Sequence, residues 1–451
     1  MAGDMAADAP VCHDGERLLH WREIAARIAA SAAELRRQPG LRCLVSSDTP
    51  QDFVIALFAA FHAGKEVVVP PSTQPGAIAQ LAGAYDCVAM PATGRGAIAG
   101  DAHLSAADVA ETLPPLDPAL AWVNLYTSGS TGAPKLIRKS LQQIDAEVAV
   151  LHEMWGPRLA GAPVVASAPH MHFYGMQFRL LWPLSAGRVF DGVTCSTPEM
   201  VMERLQVLGE AFFVSSPAML SRLPELVPLA SLLPRPRMIL SSGGPLPRSA
   251  AQAFHTQLGQ APSEIFGSTE SGAIAWRRQE ADDAWTPLPG VSVAVDDDTA
   301  LLLTSPFMAD DSAWRMDDGV AQLPDGRFRL LGRLDRTVKI EEKRLSLPDL
   351  EGRLAAHPWV GAAAAVVLPG RRQRLGVALV ASDAGREVMR IEGRRAATEE
   401  LRSHLADYFD PVLVPRHWRF VDSLPVNERG KLTQAAVAAL FKAVDDVAVA
   451  A

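Results

Sequence analysis

The stretch that most restricts the fold is Tyr126-Thr127-Ser128-Gly129-Ser130-Thr131-Gly132-Ala133-Pro134-Lys135. It follows Ala121-Trp122-Val123-Asn124-Leu125, an apolar run that predicts a buried strand. Its glycines let the backbone turn tightly and present N–H groups. Its hydroxyls add donors, its lysine adds a mobile positive charge, and it carries no acidic residue. Such a loop suits phosphate. The Walker A order Gly-x-x-x-x-Gly-Lys-Ser/Thr is absent. Composition alone also fits a plain Ser/Thr/Gly linker, but the strand before it and Pro134-Lys135 after it argue for a built loop.

Further polar stretches follow apolar runs. Residues 163–167 predict a strand that delivers Pro169-His170-Met171-His172-Phe173-Tyr174-Gly175. Its His-x-His pair is open to two readings, a metal pair without a nearby third ligand or a histidine bonded to a backbone carbonyl. Met238-Ile239-Leu240 feeds Ser241-Ser242-Gly243-Gly244-Pro245, either a plain turn or a place where a flat ring approaches the backbone. Ile265-Phe266-Gly267-Ser268-Thr269-Glu270 sets an aromatic ring, a hydroxyl and a carboxylate close together. Near the end, Gly430-Lys431 projects a lysine from a tight bend.

In this order the stretches resemble the adenylate-forming (ANL) superfamily of acyl- and aryl-CoA synthetases, non-ribosomal peptide adenylation domains and luciferases. The resemblance implies ATP and Mg²⁺. Thr127, Ser128, Gly129, Ser130, Thr131, Gly132 and Lys135 would hold phosphate, with Thr131 also at the reaction centre. His172, Phe173, Tyr174 and Gly175 would lie against the acid. Ser242, Gly243 and Gly244 would line the acid pocket and adenine. Phe266 would stack on adenine beside Gly267, Thr269 would donate to the α-phosphate, and Glu270 would hold Mg²⁺. In Trp314-Arg315-Met316-Asp317-Asp318-Gly319, Asp318 matches the ribose-binding aspartate, although Met316 and Asp317 replace the family's threonine and glycine. Arg333 would reach ribose or phosphate, Asp335 takes the hinge position, and Lys431 would be the catalytic lysine.

The implied fold is α/β. A large N-terminal domain, residues 1–334, would have layered sheets and helices plus a β-rich subdomain. A small mobile α+β domain, 335–451, would carry Lys431. The pattern itself predicts a mobile tail to about residue 10 and a helix over 16–37. It also predicts a helix over 52–63 opened by Thr49-Pro50 and a helical run from about Lys139 to Trp155. Residues 180–190 read as a turn into a strand, and Asp296-Asp297-Asp298 as a solvated hairpin.

With 451 residues, at least two domains are expected. The formal net charge of -8 gives no basic surface for nucleic acid. The densest basic spot, Arg371-Arg372-Gln373-Arg374, is a surface turn or a meeting point for an acidic protein. Cys12, Cys43, Cys87 and Cys195 form no Cys-x-x-Cys pair, which fits a cytoplasmic protein without zinc or a redox couple. No apolar run is long enough for a membrane span.

The resemblance implies attack of a carboxylate on the α-phosphorus of ATP, giving an acyl- or aryl-adenylate and pyrophosphate. Rotation at Asp335 would then withdraw Lys431 and bring in residues 340–345, and a thiol would displace AMP. Glu342 stands where the family has a glycine beside the thiol arm. The compact N-terminus and Glu341-Glu342 resemble small ligases of bacterial aryl-polyene or fatty-acid-like pathways. That points to the phosphopantetheine of an acyl carrier protein as acceptor and a small aromatic acid, such as a hydroxybenzoate, as substrate. The alternatives are a medium-chain or 3-hydroxy fatty acid, coenzyme A as acceptor, or a non-catalytic nucleotide sensor or scaffold.

Overall fold

Short Val-rich runs following helices predict parallel strands, and the computed structural model contains them. It describes residues 5–89, 113–128, 134–309, 312–340, 343–368, 374–426 and 432–442. The chain folds as two compact units, Met1–Ser292 with Thr304–Ser312, and Val293–Leu303 with Ala313–Ala451.

The first unit holds two sheets. One has five strands in the order Cys87–Val88, Arg42–Leu44, Glu66–Val69, Trp122–Ser128 and Pro134–Ser140. It is parallel except for the last pair, an antiparallel hairpin. The other has nine strands, with Met238–Ser241, Phe212–Ser215, Val164–Ala166 and Phe190–Thr194 as its parallel centre. On one side the centre continues through Ser263–Ser268, Gly272–Arg277 and Thr286–Pro287. On the other it ends in Pro10–His13 and Leu18–His20. Central strands such as Phe212–Ser215 are buried throughout, as a parallel sheet covered on both faces requires. Phe213, Ile239, Leu205, Leu220 and Phe254 form part of the core beneath them. In an open α/β sheet the carboxyl ends of such strands are where ligands sit.

The second unit has a four-stranded sheet (Ser292–Val295, Ala300–Thr304, Trp314–Gln322, Phe328–Arg333) and a hairpin, Thr337–Ile340 with Lys343–Ser346. It also has a three-stranded sheet, Val360–Leu368, Arg374–Ala381 and His417–Phe420. Helices Leu347–Ala355 and Gly393–Ala406 bury Leu350, Leu354, Leu401 and Leu405 in a shared core with Val377 and Leu379.

Several local expectations are corrected. Strand Pro10–His13 starts where the expected tail ends, strand Leu18–His20 replaces the first turn of the expected helix, and the helix begins at Trp21, where His20 and Glu23 close a capping box. Lys139 lies in strand Pro134–Ser140, whereas Ser140 caps the helix Leu141–Leu159 as its sequence indicates, its hydroxyl accepting from Gln143 N–H. Residues 173–185 are helical, with a π-helical stretch Met176–Leu181, and the expected strand begins at Phe190; Phe178 meets Tyr174 at a tilt and Trp182 edge-on along this helix. The helix at 52–63 is Pro50–His62, capped by Thr49 as its sequence indicates.

Candidate active site

The hairpin Trp122–Ser128/Pro134–Ser140 is in register from Trp122 opposite Ser140 to Ser128 opposite Pro134. It therefore closes over 129–133, so Gly129, Ser130, Thr131 and Gly132 lie outside the described residues. Thr127 pairs with Lys135 across the hairpin base. A second hairpin, Ser263–Ser268/Gly272–Arg277, sets Ser268 opposite Gly272 and leaves Thr269, Glu270 and Ser271 as its turn. The two hairpins meet: Lys135 Nζ donates to Glu270 Oε1 at 2.7 Å, across 135 positions of sequence. Burial pushes the Glu270 carboxyl up, but hydrogen bonds from Lys135, its own backbone and Ser268 bring it below its ordinary value. It is ionised at neutral pH.

A hard, half-buried carboxylate at a turn tip fits Mg²⁺. Among the described residues no group of three or more His, Cys, Asp or Glu could hold a metal, so the other ligands would be phosphate and water oxygens.

The turn is built to hold one shape. Ser268 N–H donates to Ser271 Oγ at 3.0 Å, and Ser271 N–H donates to Ser268 Oγ at 3.2 Å. A Cβ on Gly267 would run into Gly272 O, which is why glycine stands there. Phe266 tilts against Trp285 at 5.6 Å, and Arg277 lies over the Trp285 ring at 4.4 Å. Arg277 does meet a carboxylate: it grips buried Glu264 with two hydrogen bonds of 2.9 and 3.0 Å. Glu264 also accepts Leu246 N–H at 3.1 Å, fixing the far end of the Ser242-Gly243-Gly244 turn. Ser242 Oγ donates to Ile265 O at 3.0 Å, and Gly243 has φ +89°, which favours glycine.

The two histidines of the His-x-His stretch separate in role. His170 is buried, and its Nε2–H donates to Ser47 O at 2.9 Å, the hydrogen being fixed on Nε2 because a carbonyl only accepts. Burial, with the Arg179 charge, pushes it down to about 4 and keeps it neutral. His172 is half-buried and caps the short helix Phe173–Gly175. A Cβ on Gly175 would run into Pro169 O, so the glycine lets the helix close onto its own turn. Tyr174 donates to Ser215 O at 3.0 Å, tying the His-x-His stretch to the carboxyl end of a central strand.

In the second unit, the pairing of Trp314–Gln322 with Phe328–Arg333 sets Asp318 directly opposite Arg333. Arg333 reaches both Asp318 and Asp317 at 3.5 Å. Asp296 accepts from Arg315, Ala300 N–H and Asp298 N–H, as a solvated hairpin should. Lys431 and Glu341-Glu342 lie outside the described residues, as does most of the basic cluster at 371–374.

Sequence reading missed the buried polar residues that support the site. Glu147 lies inside a helix, Lys139 inside a strand and Glu264 at a strand start, and nothing in a linear pattern marks them as partners. Lys139 Nζ donates to Phe307 O at 3.1 Å and lies 5.5 Å from the Phe173 ring.

Comparison with known proteins decides the family: residues 2–304 match AMP-binding enzyme, and 349–431 match AMP-binding enzyme C-terminal domain. The chain belongs to the AMP-binding enzyme family. It is an adenylate-forming ligase that activates a carboxylic acid with ATP to an acyl-AMP. A 4-coumarate–CoA ligase of Rhodobacter capsulatus is 27% identical over 68% of this chain and 73% of its own length. An anthranilate–CoA ligase of Pseudomonas aeruginosa is 27% identical over 71% of this chain and 66% of its own. Much larger synthetases also match, but the chain spans only 5% of malpinin synthetase of Mortierella alpina and 8% of phenyloxazoline synthase MbtB of Mycobacterium tuberculosis. ATP-bound MatB from Rhodopseudomonas palustris shares the fold, with TM-score 0.75, 18% identity and 97% of each chain covered. So does the amide bond synthetase McbA from Marinactinospora thermotolerans, with TM-score 0.75, 21% identity and 98% of each chain covered. No helix among the described residues of this AMP-binding enzyme is long and apolar enough to cross a membrane.

Proposed function

We propose that this enzyme activates a small aromatic carboxylic acid and passes the acyl group to a thiol, with coenzyme A as the acceptor. The observation that carries the adenylation site is the Lys135–Glu270 contact, which joins the phosphate-loop hairpin to the Thr269-Glu270 turn. An ionised carboxylate must approach a polyanionic phosphate, and charge gathers on the phosphate oxygens as it attacks. Lys135 and the loop donors lower that electrostatic cost, Thr269 donates to the α-phosphate, and Glu270 holds Mg²⁺, which when bound supplies further charge neutralisation. The acid needs no general base because it is already ionised at neutral pH. His172, Phe173 and Tyr174 present flat apolar surface to the acid, which suits an aromatic ring. By the same family resemblance Asp318, with Arg333 opposite it in the strand pair, would take the ribose hydroxyls, and Lys431 would be the catalytic lysine.

Coenzyme A is favoured over a carrier protein because the relatives that match about two-thirds of this chain and of their own length include 4-coumarate– and anthranilate–CoA ligases. Those names also support an aromatic acid over a fatty acid. The functional division at 335 and its rotation remain part of this proposal.

The test is acid-dependent ATP–pyrophosphate exchange with hydroxybenzoates, cinnamates, fatty acids and amino acids, with Lys431→Ala as control. The expected result is exchange with one aromatic class, largely lost in Lys431→Ala, followed by thioester formation on free coenzyme A. Exchange only with fatty acids would overturn the substrate. Transfer only to carrier-bound phosphopantetheine would overturn the acceptor. ATP binding without exchange would favour a sensor.

A further inference from the structure

Glu147 is a carboxylate in the middle of helix Leu141–Leu159, and it is 1% exposed. Burying such a group is unfavourable unless it is fully hydrogen-bonded. Its Oε1 accepts Ala273 N–H at 2.8 Å, and the Gln177 side chain and the Lys139 charge act on the same carboxylate against the burial that pushes it up. An apolar side chain of similar size would leave the buried Ala273 N–H without this acceptor. The position calls for a role other than packing.

Ala273 supplies that role. It faces Gly267 in the hairpin register, one step below the Ser268–Gly272 pair that closes the Thr269–Ser271 turn. The serine pair inside the turn fixes the tip relative to that base. What remains to be fixed is the direction in which the base points, and the Glu147 bond to Ala273 fixes it. Gly272 is moulded to the same carboxylate: its φ is +74°, and a Cβ there would run into Glu147 Oε2. Lys139 attracts Glu147 from strand Pro134–Ser140. Lys135 lies four residues earlier in that strand, so both lysines leave the same face of the sheet. Lys139 and Glu147 thus stand behind the two hairpins that carry Lys135 and Glu270, each acting on the other through its charge.

We propose that Glu147 is a positioning residue for adenylation: through Ala273 and Gly272 it aims the Thr269–Glu270 turn at the phosphate-loop hairpin. This rests on the reading of Glu270 as the carboxylate that holds Mg²⁺ and phosphate. Glu147 itself touches no reactant.

The experiment compares wild type with Glu147→Gln, Glu147→Leu and Glu147→Ala. It measures MgATP affinity by calorimetry without acid, KM for MgATP and for acid separately in pyrophosphate exchange, and melting temperature. Glutamine keeps an oxygen that accepts Ala273 N–H, so MgATP affinity should stay within about threefold of wild type. Leucine and alanine lose that acceptor. Their Kd and KM for MgATP should rise about tenfold or more, with KM for acid changed less than about threefold. If alanine does not fold, leucine and glutamine decide. Folded leucine or alanine variants that bind MgATP within about twofold of wild type would overturn the inference. A glutamine variant as weak as alanine, or equal rises in both KM values, would do so too. If wild type exchanges with no acid, the proposed function fails, while the MgATP affinities still decide the role of Glu147.

Discussion

Removing Asp191 should cost more than removing its partner Arg204, and removing both should cost less than removing Asp191 alone. Asp191 is fully buried and Arg204 is 4% exposed. Arg204 Nε and NH2 donate to the two carboxylate oxygens at 2.8 and 3.0 Å. Asp191→Leu leaves the Arg204 guanidinium buried with, among the described residues, His13 Nδ1 at 2.9 Å as its remaining side-chain acceptor. It also strips charge compensation from Arg179, which is fully buried and donates to the Asp191 backbone carbonyl at 3.0 Å. Breaking a buried pair from one side costs about 3–5 kcal/mol, and Asp191→Leu belongs at the upper end because two cations lose one anion. Arg204→Met belongs at the lower end, because Asp191 keeps the Val193 N–H and the nearby Arg179 charge. The double variant removes the unpaired charge together with its partner and should recover about 1–3 kcal/mol relative to Asp191→Leu. Urea unfolding at neutral pH, followed by tryptophan fluorescence and far-ultraviolet circular dichroism, measures all three. Additive losses in the double variant, or a cost for Asp191→Leu below about 1 kcal/mol, would refute the reasoning.

Two further outcomes follow from the site. The folded His170 imidazole takes its proton only near pH 4, against 6.5 for the free group, so the unfolded chain binds more protons between those values. Its contribution is complete above 6.5 and is lost as pH falls toward 4, to a limit of about 3 kcal/mol, so urea midpoints of His170→Gln should fall less steeply across that window. An unchanged slope would remove His170 from the account. Lys135→Met breaks an ion pair whose lysine is 59% exposed, which should cost under about 1 kcal/mol of stability. The same change should lower kcat/KM for MgATP by about 10²–10³, because it removes a donor aimed at developing charge, and a loss below about tenfold would argue against that role.

Several local shapes were written locally. The Ser242-Gly243-Gly244 turn, the turn that follows Phe266 and the cap at Thr49 each depend on neighbours within a few residues, so a linear reading reaches their positions. Glycine positions were equally legible, since Gly243 needs a positive φ and Gly175 and Gly267 have no room for a Cβ. The first strands and the strand identity of Lys139 were not legible. Their pairing partners lie elsewhere in the chain, and short polar-edged runs such as Pro10–His13 carry too little pattern to show them.

The sequence by itself determined the α/β class and the order of the motifs that mark an adenylate-forming ligase, because those follow from residue type and near spacing. Only the tertiary structure decided which distant groups meet. Lys135 with Glu270, Glu147 with Ala273, and Asp191 with Arg204 are contacts set by how sheets and helices stack, and no local periodicity encodes the distance between them.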